Sequence, residues 1–337
     1  MFRNVKNYLE LVRLHMLGLG VQCVVGALTV VGANLPYEAF APLFAVHALT
    51  IAWGFAHNDY SDYEIDRHVP ALSNRVIVRG DISRHAALSL TVILLALSAL
   101  VTILSWPGLL PISILILLAA FVVAYNRYSK TFAGSDLLFA AGGSLLLILG
   151  AVTVLPDQDL RLLPPLTWVV VAISFIDHIN FNAVLGGIKD VVSDKQHNCN
   201  TLACRNIDID ETGKMTISRR FRFAALAGGV AMTALAFWPF FWTTYPSSSW
   251  QIALCAIFAG LNLYHTYRFV NIDRHDRNVI EKIARQREMA AKSLMLGMLV
   301  VWIGLSWTAI VFFVPAVSFA VFNAIMNGHP FRLPEGY

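Results

Sequence analysis

The sequence predicts an all-α membrane protein with nine transmembrane helices. Of its 337 residues, 57% are hydrophobic and 14% are charged, a balance that excludes an ordinary soluble domain. Apolar runs recur along the chain, each close to the ~20 residues that cross a bilayer as a helix. The predicted spans are residues 12–33, 38–57, 86–106, 108–125, 134–155, 165–188, 221–243, 249–270 and 293–320.

The connections between these spans predict the topology. Residues 106–108 and 243–247 are short breaks that contain proline, which indicates tight helical hairpins. No small-residue cleavage site follows the basic N-terminal residues, which favours a first membrane helix over a cleaved signal peptide. The N-terminal segment and four loops hold nearly all the Lys and Arg. We therefore expect these parts to be cytoplasmic and the C-terminus to lie on the opposite side. This bias accounts for the net charge of +4 without a nucleic-acid partner.

The second span ends in an acidic segment, Asn58-Asp59-Tyr60-Ser61-Asp62-Tyr63-Glu64-Ile65-Asp66-Arg67. On a helix that continues out of the span, Asn58, Asp62 and Asp66 lie one turn apart on one face, with Asp59 beside Asp62. Like charges at this spacing repel, so the pattern predicts bound cations. These candidate ligands are oxygen donors with no Cys or His among them, which favours Mg²⁺ over zinc.

A second acidic segment, Asp190-Val191-Val192-Ser193-Asp194-Lys195, repeats the four-residue step after the sixth span. Both segments are followed by a base and then by a polar loop that ends in Ile-Ser, at residues 82–83 and 217–218. These matches predict a weak internal duplication within a single domain of residues 1–337. Two such acidic faces, if they meet, suit divalent cations and a polyanion, for which diphosphate is the obvious candidate.

Other polar residues extend the candidate site. Arg75 and Lys130 are the basic residues that we expect to clamp phosphoryl oxygens. In the sixth span and just beyond it, His178, Asn182, Gly186, Asp190 and Asp194 follow steps of four, so neighbours in the series should stack on a helix. We expect the polar residues of the span either to line an acceptor pocket or to make interhelical hydrogen bonds. Asp177 is the strongest candidate for a functional role in this span, because a lone buried carboxylate is costly.

Taken in order, these motifs resemble the UbiA superfamily of intramembrane prenyltransferases. The resemblance rests on Asn58-Asp59-x2-Asp62-x3-Asp66, Asn74-Arg75 with Gly80-x-Ile82-Ser83, Tyr125 with Lys130, and Asp190-x3-Asp194 with Thr201-Leu202. It covers most of the chain, and nine helices is also the count in that family. Val76-Ile77 stands where many members have Pro-Leu, and Cys199-Asn200 stands where a Gly often precedes the Thr-Leu pair, so the subfamily stays open.

The resemblance implies a central cavity that is walled by helices and open laterally to membrane lipid. It implies that two Mg²⁺ ions bridge the diphosphate of a polyprenyl donor to the two acidic motifs. The implied metal ligands are Asn58, Asp59, Asp62, Asp66, Asp190 and Asp194. The residues expected to bind diphosphate or substrate are Arg13, Arg67, Arg75, Tyr125, Lys130, Lys195 and Asn182. The residues expected to act in catalysis are Asp66, Lys130 and Asp177, with Asp66 or Asp177 as a base.

The expected activity is transfer of a polyprenyl group from its diphosphate to a small acceptor. The acceptor is either an aromatic ring, as in quinone precursors, or a phosphorylated glycerol or sugar. A terpene cyclase on the same scaffold is an alternative, and so is a non-enzymatic membrane transporter or scaffold. The hydropathy excludes a soluble prenyl diphosphate synthase, which also uses Asp-rich motifs.

Overall fold

The computed structural model describes residues 2–13, 21–69 and 72–329. Part of the first predicted span, residues 14–20, therefore lies outside the described residues. The chain divides into two compact units. Unit 1 comprises residues 1–126, 146–162 and 309–337, and unit 2 comprises residues 127–145 and 163–308.

The described residues form twelve α-helices, the last of which is interrupted at Gly304 (φ 75°, ψ 165°), and one short hairpin. The α-helices are α1 (Phe2–Leu11), α2 (Gln22–Val31), α3 (Phe40–Asp66), α4 (Arg84–Ser105), α5 (Leu109–Tyr128), α6 (Asp136–Val152), α7 (Pro165–Ile179), α8 (Gly187–Gln196), α9 (Leu202–Asn206), α10 (Arg219–Phe237), α11 (Ser249–Val270) and α12 (Arg277–Asn327). A π-helical segment, Asn180–Gly186, joins α7 to α8. Strands β1 (Ile207–Ile209) and β2 (Met215–Ile217) pair antiparallel.

Within the described part of the chain, six helices are long and apolar enough to cross a membrane. They are Tyr37–Asp66, Arg84–Ser105, Leu109–Tyr128, Pro165–Gln196, Arg219–Phe241 and Arg277–Met326. Two shorter apolar helices, Gln22–Asn34 and Asp136–Val152, occupy the first and fifth predicted spans, and α11 occupies the eighth. Each predicted span thus contains a helix, while the count of nine crossings stays a prediction.

Unit 1 is built around the long helix α3. The side chains of Thr50 and Ser98 share a buried 2.9 Å hydrogen bond that ties α3 to α4. Helix α2 approaches the backbone of α6 closely, because a Cβ on Gly26 would lie 2.0 Å from the carbonyl oxygen of Leu147. Small residues allow such approaches between helices in an apolar environment.

An apolar cluster at the end of α3 joins several segments of unit 1. It consists of Leu11, Ala56, Val76, Ile77, Ile82 and Ala87, each less than a tenth exposed. These residues come from α1, α3, the loop of residues 72–82 and α4. The cluster therefore anchors the N-terminal helix and the loop beside the acidic end of α3.

Unit 2 packs the β-hairpin and the start of α12 onto the helices that carry the second acidic motif. Its buried cluster includes Ile188 and Val191 of α8, Ile207 and Ile217 of the strands, and Ile280 of α12. The backbone N–H of Met215 donates to the carbonyl of Asp273 at 2.7 Å. The hairpin thus fixes the segment that leads into α12.

The two Ile-Ser pairs occupy equivalent local positions. Ser83 is the N-cap of α4 and accepts from the N–H of Ala86 at 3.2 Å. Ser218 is the N-cap of α10 and accepts from the N–H of Phe221 at 3.3 Å. Serine favours this position because its hydroxyl satisfies an unpaired N–H of the first turn. The match agrees with the predicted duplication, which otherwise stays a prediction.

The four-residue steps of the sixth span pass through a π-helical segment, Asn180–Gly186, that separates His178 from Asp190. A π turn contains more residues than an α turn, so this segment is not the unbroken α-helix that the sequence suggested. His178 bonds back to the Ser174 carbonyl at 2.6 Å, while Asn182 donates to Asp136 of α6 at 2.7 Å. The Asn182 contact is an interhelical hydrogen bond, which is one of the two roles expected for this series, and the acceptor pocket stays a prediction.

A buried ion pair crosses the core of unit 2. Arg287 of α12 is 1% exposed and donates from Nη1 to the carboxylate of Asp177 in α7. Its Nη2 lies 3.1 Å from the sulfur of Met232 in α10. A charge buried to this degree is tolerated because its partner is in contact. Arg287 therefore supplies the counter-ion that the sequence did not indicate for Asp177.

This pair predicts an asymmetric response to substitution. Asp177→Ala leaves the Arg287 guanidinium buried and uncompensated, which we expect to lower the free energy of unfolding by about 3–5 kcal/mol. Combining Asp177→Leu with Arg287→Met removes both charges and should recover most of that loss. Denaturant unfolding in detergent, followed by circular dichroism, measures both effects. A double variant as unstable as Asp177→Ala would contradict the role of the pair.

Candidate functional site

The first acidic motif forms one face at the C-terminal end of α3. Asn58 donates from Nδ2 to Asp62 Oδ2 at 3.0 Å, one helical turn along. Asp59 and Asp66 are 8% and 6% exposed. Two carboxylates are thus buried within two turns of a third, which is costly unless cations are close.

Two arginines supply positive charge at this face. Arg13 Nη2 lies 2.8 Å from Asp59 Oδ1. Arg75 Nη1 lies 3.2 Å from the same oxygen and also bonds to Asp66 Oδ2. Burial alone would lower the pKa of Arg75, but the charges of Asp59, Asp66 and Asp62 outweigh it, so that pKa is raised. The Arg75 guanidinium therefore remains charged and bridges two turns of α3.

Arg13 is held in an uncommon backbone conformation. Its φ of 48° lies in the left-handed region, which costs a non-glycine residue roughly 1–2 kcal/mol. Its N–H donates to the Glu10 carbonyl at 2.9 Å, and its guanidinium lies 4.8 Å from the centre of the Phe55 ring. The ion pair with Asp59 and this cation–π contact offset the strain.

A chain of neutral polar groups continues from the acidic face. Asn126 of α5 donates to His57 Nδ1 at 2.7 Å, and its Oδ1 lies 3.4 Å from Asn58 Nδ2. Tyr125, the predicted diphosphate contact, precedes Asn126 and is half-buried. The sequence analysis missed His57 and Asn126, although both adjoin predicted residues in the chain.

The second acidic motif lies on α8 in unit 2. Lys130 Nζ donates to Asp194 Oδ1 at 2.6 Å, and Asp194 is 6% exposed. The loop that follows α8 steadies this lysine, because the N–H of Asn200 donates to the Lys130 carbonyl at 2.7 Å. Lys130 is therefore positioned by its backbone as well as by its ion pair.

Asp190 is placed more loosely. Its side chain is 38% exposed, and the nitrogens of Lys189 and Arg277 each lie 3.7 Å from its oxygens. These distances exceed those of a hydrogen bond. Arg277, which begins α12 far along the chain, was not among the predicted site residues. Asp190 is thus an accessible carboxylate with positive charge on two sides.

Several predicted site residues have other partners. Arg67 lies 3.2 Å from Glu64, and Lys195 lies 3.0 Å from the exposed Asp208 of β1. Asn182 donates to Asp136, a residue that the sequence analysis did not select. These contacts give Arg67, Lys195 and Asn182 partners within the protein.

The donor chemistry of both motifs fits a hard divalent cation. Carboxylate and amide oxygens are the ligands that Mg²⁺ prefers, and it usually takes few from the protein and the rest from phosphate and water. Within the described ranges, no group of three or more His, Cys, Asp or Glu side chains converges as a finished metal cage. The oxygens instead face guanidinium and ammonium groups, which are the partners that phosphate oxygens would also take.

The comparisons with known proteins agree with this chemistry. A sequence profile of the UbiA prenyltransferase family matches residues 19–287, well over half of the chain. No curated protein matches the sequence. Several solved structures resemble the chain at low identity.

The first of these structures is of a digeranylgeranylglyceryl phosphate synthase, with TM-score 0.66 and 18% identity over 90% of this chain and 100% of that one. A UbiA homologue from Aeropyrum pernix K1 in its apo form gives TM-score 0.65 and 19% identity over 85% and 97%. A UbiA homologue from Archaeoglobus fulgidus, bound to GPP and Mg²⁺, gives 0.57 and 15% over 86% and 99%. At these identities the structures show a shared fold.

The family profile extends over both acidic motifs and most of the predicted spans. Homologues in the family are prenyltransferases, and the family is one of integral membrane proteins. The chain is a transferase and belongs to the UbiA prenyltransferase family.

Proposed function

We propose that the protein catalyses the Mg²⁺-dependent transfer of a polyprenyl group from a polyprenyl diphosphate to a small acceptor, with release of diphosphate. The observation that carries this proposal is the end of α3, where Arg13 and Arg75 pair with two of three carboxylates on one helical face, Asp59 and Asp66. The arrangement supplies ligands for a hard cation and charged donors for phosphate within one cluster.

Charge balance supports this reading of the cluster. Asp59, Asp62 and Asp66 carry three negative charges, and Arg13 and Arg75 carry two positive ones. A divalent cation together with diphosphate would give each group a better partner. The carboxylates would bind the cation, and the guanidinium groups would donate to phosphate oxygens in paired hydrogen bonds.

The proposed metal ligands come from both motifs. Asn58, Asp59, Asp62 and Asp66 would hold Mg²⁺ in unit 1, and Asp190 and Asp194 would hold it in unit 2. When bound, the metal neutralises the charge that builds on the departing diphosphate. Arg13 and Arg75 of unit 1 would donate to phosphate oxygens, and Tyr125 of the same unit would add a neutral contact. Lys130 would supply such a donor in unit 2.

The reaction requires one bond to break and one to form. The allylic C–O bond breaks with both electrons leaving on the diphosphate, and a nucleophilic atom of the acceptor bonds to the allylic carbon. The acceptor then loses its proton to a base or to water. The acceptor is either an aromatic ring or a phosphorylated glycerol or sugar. One structural neighbour is a digeranylgeranylglyceryl phosphate synthase, so a glycerol phosphate belongs among the acceptors to be tested.

The acidic face of α3 predicts a metal-dependent activity that its own carboxylates control. We expect purified protein in detergent to release diphosphate from geranylgeranyl diphosphate when Mg²⁺ and a suitable acceptor are present. Asp62→Asn should lower kcat/KM by about 10²-fold or more, because it removes charge that holds the metal in the transition state. It should also raise the Mg²⁺ concentration that gives half-maximal rate.

Glu64→Gln is the matched control, since it removes one carboxylate from the same helix end. Glu64 is 56% exposed and pairs with Arg67 and Arg84, so its loss should change the rate less than twofold. Equal losses of kcat/KM in Asp62→Asn and Glu64→Gln would contradict a specific role for the acidic face. Conversion of the donor alone to a cyclic hydrocarbon would show that the protein is a cyclase and not a transferase.

Lys130 offers a separate test in unit 2. Lys130→Gln removes the cation nearest Asp194, and we expect kcat/KM for the donor to fall about 10- to 100-fold. Lys130→Arg keeps the charge and should retain part of the rate. Lys214→Gln removes an exposed lysine from the hairpin of the same unit and should leave the rate within twofold. A Lys130→Gln enzyme with unchanged donor kinetics would exclude a role in diphosphate binding.

A further inference from the structure

Arg79 connects two segments of unit 1 through an unusual number of polar contacts. Its Nη1 and Nη2 donate to the two carboxylate oxygens of Glu10, each at 2.9 Å. Nη2 also lies 3.3 Å from Asn7 Oδ1. Within its own loop, Arg79 donates to the Asp81 carboxylate and to the Asn74 carbonyl. We call the contacts of Arg79 with Glu10 and Asn7 the Arg79 clamp, because they tie α1 to the loop.

The clamp is charged and only partly open to solvent. The Glu10 side chain is 16% exposed and that of Arg79 is 31% exposed. The hydrogen bond with Glu10 is the largest of the effects that raise the pKa of Arg79, and the contact with Asp81 adds to it. Paired, charge-assisted hydrogen bonds of this kind fix orientation as well as distance.

The loop side of the clamp is rigidly joined to Arg75. The N–H of Arg79 donates to the Arg75 carbonyl at 2.9 Å, and the N–H of Asp81 donates to the Val76 carbonyl at 3.1 Å. Val76 and Ile77 are 3% and 4% exposed and anchor this turn in the apolar cluster. A displacement of Arg79 therefore displaces the backbone of Arg75.

The helix side of the clamp is joined as closely to Arg13. Leu11 follows Glu10 and is fully buried in the same apolar cluster. The N–H of Arg13 donates to the Glu10 carbonyl at 2.9 Å. Because Arg13 also adopts a strained φ, its placement against Asp59 depends on how the end of α1 is held.

We propose that Arg79 is a positioning residue of the donor site. Through Glu10 it sets Arg13 against Asp59, and through its own turn it sets Arg75 against Asp59 and Asp66. This inference rests on the proposed function, in which Arg13 and Arg75 bind the donor diphosphate. Arg79 itself contacts neither Asp59 nor Asp66 and acts through Arg13 and Arg75.

A double-mutant cycle between Glu10 and Arg13 separates positioning from simple stabilisation. The probe is geranylgeranyl S-thiolodiphosphate with Mg²⁺, whose equilibrium binding requires no turnover and no acceptor. Glu10→Gln should raise its dissociation constant about fivefold. In an Arg13→Gln background, the same change should have almost no further effect, because the residue through which the clamp acts is already absent. Arg79→Lys, which keeps the charge but loses the paired geometry, should give an intermediate value.

Hydrogen exchange of the amides in residues 5–13 gives a second, substrate-free readout. Glu10→Gln should speed exchange there and leave the amides of α4 unchanged, whereas Glu64→Gln should alter neither exchange nor probe binding. Additive effects of Glu10→Gln and Arg13→Gln on binding would overturn the proposal, as would unchanged exchange in residues 5–13. A wild-type protein that fails to bind the probe would instead refute the proposed function, and the exchange result alone would then decide whether the clamp holds α1.

Discussion

Unit 1 depends on compensating the carboxylates buried at the end of α3. Asp59 and Asp66 are 8% and 6% exposed, and burial of a charge without a partner costs several kcal/mol. Arg75 contacts both carboxylates, and Arg13 contacts one. Neither arginine belongs to α3, so α1 and the loop of residues 72–82 must both be held at this point. The apolar cluster around Leu11 and the polar contacts of Arg79 serve that requirement.

In the second acidic motif the carboxylates are also paired with basic residues, but one of them is much less buried. Asp194 has Lys130 at 2.6 Å, but Asp190 is 38% exposed and its basic neighbours lie at 3.7 Å. Long, partly hydrated contacts hold a side chain weakly. Asp190 can therefore turn toward a ligand at little cost, whereas Asp59 and Asp66 must exchange tight partners. Two motifs with the same spacing thus differ in how readily their oxygens become available.

Local spacing predicted the helical face of Asp62 and Asp66, because that face depends on residues one turn apart. It also marked the Ile-Ser pairs that end two polar loops, and in the structure Ser83 and Ser218 cap the helices that follow. The roles of Arg75 and Lys130 in phosphate binding stay predictions. Contacts between distant segments left no periodic signal. Arg287 lies 110 residues after its partner Asp177, and Arg79 lies 69 residues after Glu10, so neither pair is visible in local spacing. The π-helical segment also escaped prediction, since its sequence fits an ordinary helix until packing adds residues to the turn.

The partners of Asp66 and Asp177 bear on how the acceptor loses its proton. Each carboxylate accepts a hydrogen bond from a guanidinium group, Asp66 from Arg75 and Asp177 from Arg287. Each carboxylate thus compensates the charge of an arginine, and Arg287 is 1% exposed, so it depends on that compensation. A carboxylate that also served as the base would give up the negative charge with which its arginine pairs. An acceptor that enters already ionised makes no such demand on either ion pair.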